Sequence, residues 1–461
     1  MPEPHHTSHR SVGQRSPDRD HTTHYARADG DNALMAIRCA GFADARGALH
    51  ASDSLLVQTT GPRSRRILAI GPHEQVRQHP AWASARPIDR TGWVLAPALA
   101  NAHAHLDLTH VGPRPVPPGG FVEWIGMVRQ ARRADPAGIG QSVAQGIDLL
   151  RRGGTVAVGD IAGSVNQGPS TVPWSRLQEA RLHGVSFLEF FALSPDGAPR
   201  LDEALRTADR CRSDRPSRDE PAGRGLRVGL QPHAPYSVSL GAYARAVRAG
   251  LPTCTHLAEV PEERRLVATG DGPLADMLQR MGLWNEAYAQ TLGKGRSPVA
   301  HLGNLLAGML VVHANGLDDA DIHLLAQAQA KVAYCPRASD AFQAPMHFGP
   351  HRYADLLAAG VPVALGTDSI ITLPPEAVQA RGLCVLDEAR HLRRRDGTAV
   401  GLLLEMLYRH GPAALGLDPA GFALTEGGEV LGLIAVELDS SVRKDDAAQA
   451  LLESSGRIEF L

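Results

Sequence analysis

Residues 94–105 have the sequence VLAPALANAHAH, a run of small apolar residues that ends in the pair His103 and His105. Side chains two positions apart on an extended segment point to the same side, so both imidazoles can reach one metal ion. Other apolar runs along the chain also end in a polar residue. This pattern predicts buried strands whose carboxyl ends carry the functional side chains.

Eight apolar runs of this kind alternate with segments of helical periodicity. They span residues 94–100, 156–161, 185–193, 226–231, 253–256, 309–313, 331–335 and 361–366. Buried strands that alternate with helices predict an α/β fold, here a (β/α)8 TIM-type barrel. A doubly wound open sheet has the same local pattern, so periodicity alone leaves both architectures open.

The two chain ends differ from this central region. Short β-type runs in residues 34–94, and again in 421–461, predict the two parts of a small accessory β-sheet domain, with the barrel at 95–420. Residues 1–33 are polar and His-rich and contain no long apolar stretch. They predict a disordered polar tail and argue against a signal peptide.

Composition limits the possible partners and the compartment. The formal net charge is −2 without long charged blocks, which argues against nucleic acid or a membrane surface as the main partner. No apolar run reaches the length of about 18 residues that a membrane span needs. The five cysteines are scattered and form no C-x-x-C pair, which favours a reducing cytoplasm over a disulfide framework.

Candidate metal ligands follow several of the strand runs. The fifth run ends at His256, the sixth at His313, and Asp368 follows the eighth. Three histidines and an aspartate are a plausible ligand set for Zn²⁺ or Fe²⁺ that leaves room for a water. Glu259 lies three residues after His256, so one loop can place a ligand and an acid beside the same atom. Glu262 and Glu263 are expected to be ordinary surface carboxylates.

The order of motifs H-A-H, H-A-P-Y-S, H-L-A-E, H, C-P-R and G-T-D-S resembles the amidohydrolase superfamily, in its cytosine deaminase and chlorohydrolase-like branch. The resemblance covers residues 88–416. It implies the metal ligands His103, His105, His256 and Asp368. It also implies that Glu259 is the proton shuttle, that Asp368 takes the first proton, and that His313 contacts the attacking water or the tetrahedral centre. The chain departs from many relatives at Cys335–Ser339, where they have a Ser-Asn pair, which affects the shape of the substrate pocket.

A single metal ion is expected. Binuclear relatives bridge two metals through a carboxylated lysine on the fourth strand, whereas the only lysines here are Lys294, Lys331 and Lys444, and none precedes His256. The expected cofactor is one divalent ion, Zn²⁺ first and Fe²⁺ as the alternative. Relatives are frequently homodimers, an assembly that the sequence leaves open.

Two motifs bear on the substrate. Residues 117–125, PPGGFVEWI, resemble deaminases of adenosine-type nucleosides, which implies that the Glu123–Trp124 pair binds substrate and that Glu123 accepts hydrogen bonds from ribose hydroxyls. The alternative is a helix whose apolar stripe includes Trp124 and whose Glu123 is solvated. His233, in the H-A-P-Y-S motif, matches a residue that contacts the base. The alternative for His233 is a buried histidine that holds a loop.

Arg337 offers a bidentate fork for a carboxylate. Residues 335–361 resemble aminodeoxyfutalosine deaminases of menaquinone biosynthesis, whose substrate carries a carboxyphenyl group. The alternative for Arg337 is an ion pair within the protein. The expected function is metal-dependent hydrolytic deamination of a small adenosine-type nucleoside, with aminodeoxyfutalosine first. Alternatives are S-adenosylhomocysteine/methylthioadenosine or guanine deamination, triazine chlorohydrolysis, amide or cyclic-imide hydrolysis, and a non-catalytic metal-binding protein.

Overall fold

The computed structural model describes residues 32–49, 52–165, 168–193, 199–214, 223–439 and 446–461. The expected polar tail lies almost entirely outside the described residues. The strands in the described ranges are β1 Leu34–Asp44, β2 Gly47–Ala48, β3 Ser54–Thr59, β4 Arg65–Gly71, β5 Arg86–Pro97, β6 Leu99–Ala104, β7 Thr155–Ala162, β8 Ser164–Val165, β9 Gly168–Pro169, β10 His183–Phe190, β11 Leu226–Pro232, β12 Cys254–Leu257, β13 Leu310–His313, β14 Lys331–Tyr334, β15 Val363–Leu365, β16 Glu429–Val430, β17 Leu433–Glu437 and β18 Ile458–Phe460.

Helices connect most of these strands. They are α1 His73–Val76, α2 Gly120–Ala131, α3 Pro136–Arg152, α4 Val172–Glu179, α5 Arg200–Ser213, α6 Leu240–Arg248, α7 Pro261–Thr269, α8 Pro273–Arg280, α9 Glu286–Ala289, α10 Pro298–Leu302, α11 Asp319–Gln327, α12 Pro336–Ala341, α13 Ala344–Phe348, α14 Tyr353–Ala358, α15 Pro375–Arg381, α16 Val385–Asp396, α17 Val400–Glu405, α18 Gly411–Ala414 and α19 Ala447–Glu453. Among the described residues, no helix combines the length and the apolar character needed to cross a membrane.

The central region is built from parallel strands. One four-stranded sheet has the order β6–β7–β10–β11, and a second has the order β12–β13–β14–β15. Single bridges join the two sheets at both edges, between Leu230 and Thr253 and between Ala104 and Asp368. The eight strands therefore close on themselves, which removes the exposed edges of an open sheet. The predicted α/β class is confirmed.

Helix α3 shows how the sequence produces the outer layer. Asp135 caps its N-terminus by accepting a hydrogen bond from the backbone N–H of Gly138, with 2.6 Å between the atoms, and Pro136 occupies the first turn. The apolar side chains recur every three or four positions and are all buried: Ile139, Val143, Ile147 and Leu150. This spacing gives the helix one apolar face, which joins the main hydrophobic core of the barrel.

Strands from both chain ends form a separate sheet with the order β16–β4–β3–β1–β5–β17–β18. Alternating residues of β1, such as Met35 and Ile37, pack with Leu55, Val57 and Leu433 in a hydrophobic cluster of their own. Strand β5 continues through the expected boundary at residues 94–95 and ends two positions before β6 begins. This continuity ties the flanking sheet directly to the first barrel strand.

Candidate active site

The carboxyl ends of β6 and β15 bring His103, His105 and Asp368 together. Nε2 of His103 lies 3.3 Å from Oδ1 of Asp368, and Nε2 of His105 lies 3.4 Å from the same oxygen. The backbone N–H of Asp368 donates to the carbonyl oxygen of His103, with 3.0 Å between the atoms. All three side chains are buried, so one carboxylate oxygen faces two imidazole nitrogens away from solvent.

His256, at the end of β12, completes this cluster. Its ring centroid lies 5.1 Å from that of His103 and 5.4 Å from those of His105 and His313. One nitrogen or oxygen from each of His103, His105 and Asp368 lies within 4.8 Å of the others, and the same holds for His103, His256 and His313. His103 belongs to both groups, and His256 also belongs to a third group with Glu189 and His233.

The donor set fits a divalent metal ion. Nε2 of His103 is buried without a hydrogen-bond partner, which is costly unless a ligand completes its environment. Metal ligation requires neutral imidazoles, and burial, together with His103, lowers the pKa of His105 to about 3. Burial alone would raise the pKa of Asp368, but the imidazoles of His103, His105 and His313 that face it outweigh burial and lower that pKa. The cluster therefore presents neutral nitrogens and an anionic oxygen.

Glu259 and His313 face each other beside the cluster. Oε1 of Glu259 lies 3.4 Å from Nε2 of His313, and both side chains are buried. Burial, reinforced by Asp368 and Glu263, raises the pKa of Glu259 well above its usual value, whereas burial lowers the pKa of His313 to about 3. At neutral pH His313 is therefore a neutral imidazole that can form hydrogen bonds, and the raised pKa of Glu259 favours the protonated form that can give a proton.

Glu263 departs from the expectation for it. It is completely buried, and its Oε2 accepts a hydrogen bond from the backbone N–H of Glu259 with 2.9 Å between the atoms. Its place as the third residue of α7 explains this contact, because a glutamate there can reach back to the preceding backbone. The expectation of a surface carboxylate was wrong for Glu263, which instead supports the loop that carries Glu259.

The backbone at the site is strained. Four of the eight non-glycine residues with positive φ in the described part of the chain lie in these loops: Ala258, His313, Ala314 and Asp368. Such conformations concentrate where the surrounding structure fixes functional groups. The loops after β12 and β13 also hold each other, because Nδ2 of Asn315 donates to the carbonyl oxygen of Glu259, with 3.0 Å between the atoms.

A cavity of about 490 Å³ opens onto the cluster. Its inner end is lined by polar groups of the site: His105, His233, His256, Glu259, His313 and Asp368. The rest of its lining is mainly apolar, with arginines among it: Phe121, Trp124, Val128, Arg129, Phe191, Arg200, Met277, Met281, Leu283 and Phe342. This volume is in the range of small-molecule sites.

Two of the predicted substrate residues line the cavity. Trp124 is buried and packs edge-to-face on Phe342, with 5.1 Å between ring centroids. The Nδ1 atom of His233 lies 2.8 Å from Oγ of Ser237, and its Nε2 lies 4.0 Å from Oε1 of Glu189. His233 therefore faces the cavity while a neighbour on its own loop fixes its ring.

The other two predicted substrate residues lie elsewhere. Glu123 is exposed at the start of α2 and accepts a hydrogen bond from the backbone N–H of Gly119, with 2.8 Å between the atoms. Arg337 is buried, and its Nε donates to Oε1 of Glu388 across 2.6 Å. Neither belongs to the cavity lining. Glu123 is therefore solvated on a helix, as in the alternative given for it, and Arg337 forms an ion pair within the protein.

Sequence reasoning missed a buried charged cluster beside the cavity. Nη1 of Arg132 donates to Oε2 of Glu189 across 2.6 Å, and Nε of Arg132 lies 3.6 Å from Oδ2 of Asp107. Asp160, on the neighbouring β7, is completely buried. A signal was present, because Glu189 and Asp160 interrupt otherwise apolar strand runs, and a charge inside such a run indicates a barrel interior position near the site.

Comparison with known proteins adds independent information. Residues 94–427 match the model of the amidohydrolase family. The chain is 34% identical to the aminodeoxyfutalosine deaminase of Deinococcus radiodurans, over 66% of this chain and 70% of that protein. It is 27% identical to a 5-methylthioadenosine/S-adenosylhomocysteine deaminase of Haloarcula marismortui, over 77% and 75%. The crystal structure of an adenosine deaminase from Xanthomonas campestris with bound zinc superposes with a TM-score of 0.67 at 19% identity, over 92% and 90%.

Proposed function

Since this chain belongs to the amidohydrolase family, we propose that it is a metal-dependent hydrolytic deaminase of an adenosine-type nucleoside. The chain is a hydrolase that acts on C–N bonds. The observation that carries the proposal is the meeting, at the inner end of one cavity, of the metal-type cluster with the acid Glu259 and the neutral His313.

The proposed ligands of one divalent ion are His103, His105, His256 and Asp368. When bound, the ion would supply Lewis acidity that lowers the pKa of a coordinated water towards neutrality. Zn²⁺ is proposed because this nitrogen and oxygen donor set suits it, and Fe²⁺ is the alternative. The zinc bound by the structurally similar adenosine deaminase supports the same choice.

The side chains of this site can move every proton that deamination requires. Asp368 takes one proton from the attacking water, and Glu259 gives its proton to the ring nitrogen next to the attacked carbon. As the adduct collapses, Glu259 transfers the proton of the new hydroxyl to the amine, the C–N bond breaks and ammonia leaves. The proton on Asp368 then restores Glu259. His313 stabilises the oxygen that gains charge, a contribution of roughly 3 kcal/mol.

The cavity favours a nucleoside with an extended substituent. Three of the four exposed large apolar side chains in the described ranges, Phe191, Met281 and Leu283, line its outer part. The exposed Arg129 lies in the same rim, with Nη1 3.5 Å from the sulfur of Met281. An apolar arm with a negative end complements this rim. We therefore propose aminodeoxyfutalosine as the substrate, with Arg129 rather than Arg337 facing its carboxylate and with Trp124 and His233 lining the nucleoside site.

The second candidate is deamination of methylthioadenosine or S-adenosylhomocysteine. The same apolar rim could hold a thioether arm, and sulfur-containing groups pack well against methionine and aromatic side chains. The Haloarcula marismortui relative carries that activity in its name. Guanine-type deamination and triazine chlorohydrolysis need no arm and are therefore less well matched to the apolar rim.

The test is ammonia release by purified, metal-analysed protein. The panel contains aminodeoxyfutalosine, adenosine, methylthioadenosine, S-adenosylhomocysteine and guanine. We expect turnover of a nucleoside with about one metal per chain, and loss of turnover in Glu259→Gln. Glu262→Gln changes a carboxylate on the same segment outside the cavity lining and serves as the matched control. Metal-loaded protein that turns over no member of the panel would contradict the nucleoside proposal.

A further inference from the structure

His313 and the residue after it, Ala314, both have a left-handed backbone, with φ of 72° and 54°. L residues adopt this conformation only where the surrounding structure holds it. The direction of the His313 side chain depends on this backbone, because the imidazole leaves the chain at the residue where β13 ends. Any group that fixes the peptide after His313 therefore acts on the imidazole.

The carbonyl oxygen of His313 contacts such a group. It lies 2.9 Å from Nε2 of His351, a buried residue between α13 and α14. A carbonyl oxygen can only accept, so Nε2 of His351 carries the proton and donates it. Burial lowers the pKa of His351 to about 4, so its ring is neutral and this N–H is its single donor.

Aromatic neighbours hold the His351 ring in place. Tyr334, on the strand next to β13, stacks on it with 3.6 Å between ring centroids and 17° between ring planes. The ring of Tyr353 is stacked with both, and its centroid lies 6.0 Å from that of His351. Nη2 of Arg395 donates to the hydroxyl of Tyr334, with 3.0 Å between the atoms. The donor is therefore aimed at His313 by a rigid support.

We propose that His351 is a positioning residue that acts through His313. Its Nε2–H holds the left-handed His313–Ala314 backbone in the arrangement that turns the His313 imidazole towards Glu259. His351 itself is not among the residues that line the cavity. The catalytic part of this inference rests on the proposed function, whereas the effect on the backbone does not.

A crossed pair of substitutions separates positioning from packing. His351→Phe keeps an aromatic ring that can stack on Tyr334 but removes the N–H donor. His351→Gln removes the ring but keeps an amide N–H donor at a similar distance from the backbone. If the hydrogen bond positions His313, His351→Phe is the more harmful substitution and His351→Gln stays close to wild type. If the ring packing matters instead, His351→Gln is the more harmful substitution.

The experiment measures hydrogen–deuterium exchange of residues 309–316 together with kcat and KM in wild type and both variants. We expect faster exchange of this segment in His351→Phe, near wild-type exchange in His351→Gln, and unchanged metal content in all three. For the deaminase reaction we expect kcat to fall about tenfold in His351→Phe with KM within about twofold, because an unsatisfied buried acceptor releases the strained loop.

Two results would overturn the proposal: wild-type exchange and kcat in His351→Phe, or a His351→Gln variant as impaired as His351→Phe. The exchange measurement needs no substrate. If the wild-type protein deaminates none of the nucleosides, the proposed function fails, and the comparison of exchange rates still decides whether His351 positions His313.

Discussion

Arg132 donates a hydrogen bond to Glu189 across 2.6 Å, and both side chains are largely withdrawn from water beside the cavity. Burial alone would lower the pKa of Arg132, but Asp107 and Glu189 outweigh it and raise that pKa, so the guanidinium stays charged. Burial also raises the pKa of Asp107, and the positive charge of Arg132 limits that rise. One cation thus compensates the carboxylates that line this side of the barrel.

Removal of that cation should be costly. Arg132→Met takes the Arg132 guanidinium away from the buried carboxylate of Glu189, and we expect the free energy of unfolding to fall by about 3–5 kcal/mol. Adding Glu189→Gln should recover part of the loss. Urea unfolding measures both. Arg206→Met is the control, since Arg206 pairs with Glu203 at the surface, where a loss of about 0–1 kcal/mol is expected. Equal losses in the two single variants would contradict this view of the cluster.

Asp160 should make stability depend on pH. Burial, reinforced by Asp107, raises the pKa of Asp160 to about 8. Between its unfolded value near 4 and 8, the folded chain keeps a proton that the unfolded chain has lost, so the contribution of Asp160 to stability falls as pH rises. We expect Asp160→Asn to gain stability relative to wild type from pH 5 to pH 8. Chemical unfolding of wild type and Asp160→Asn at a series of pH values measures this gain. If the free energies of unfolding of the two proteins changed in parallel with pH, the prediction would be refuted.

Metal removal should lower stability through the histidine cluster. Chelator-treated protein is expected to unfold at a lower temperature, and Zn²⁺ at 100 times its Kd should restore about 2.7 kcal/mol. The metal effect should disappear in His103→Ala and persist in His323→Ala, which changes an exposed histidine of α11. Because the pKa of His105 lies at about 3, the effect should persist at pH 5. Calorimetry with metal analysis checks each of these expectations.

Arg129 and Arg337 should affect different quantities. Arg129→Met is expected to raise KM for a carboxylated nucleoside by about two- to fivefold, the range of an exposed ion pair, and to leave KM for methylthioadenosine unchanged. Arg337→Met should leave both KM values unchanged and lower stability by about 3–5 kcal/mol, because the buried carboxylate of Glu388 loses the guanidinium that it pairs with. If Arg337→Met raised KM for the carboxylated nucleoside only, and Arg129→Met changed neither KM, the substrate contact would be assigned to Arg337.

The cluster of candidate ligands was accessible from sequence because each member follows an apolar strand run. The carboxyl ends of parallel barrel strands meet at one face, so His103, His256 and Asp368 come together whatever the lengths of the connecting segments. The α/β class followed from the same alternation of strands and helices. Neither inference depended on the direction of an individual side chain, apart from the alternation of side chains along a strand.

Two of the three placements that could not be predicted, those of Arg337 and His351, depend on partners distant in sequence. Arg337 pairs with Glu388 on α16, and no local pattern connects the two. The carboxylate of Glu123 is directed to the start of its own helix. This direction depends on the rotation of the helix about its axis. His351 lies between two short helices in a segment without periodicity, and its contact with His313 exists only in three dimensions.

The bridge between Ala104 and Asp368, with the hydrogen bond from Asp368 to His103, has a consequence for biosynthesis. A ribosome delivers His103 and His105 long before Asp368, so the emerging polypeptide holds an incomplete set of ligands until the eighth barrel strand has left the exit tunnel. Because a metal site that exists only in the folded state couples binding to folding, full-affinity capture of the ion has to follow closure of the barrel. Occupancy of the site would then mark molecules whose barrel has closed.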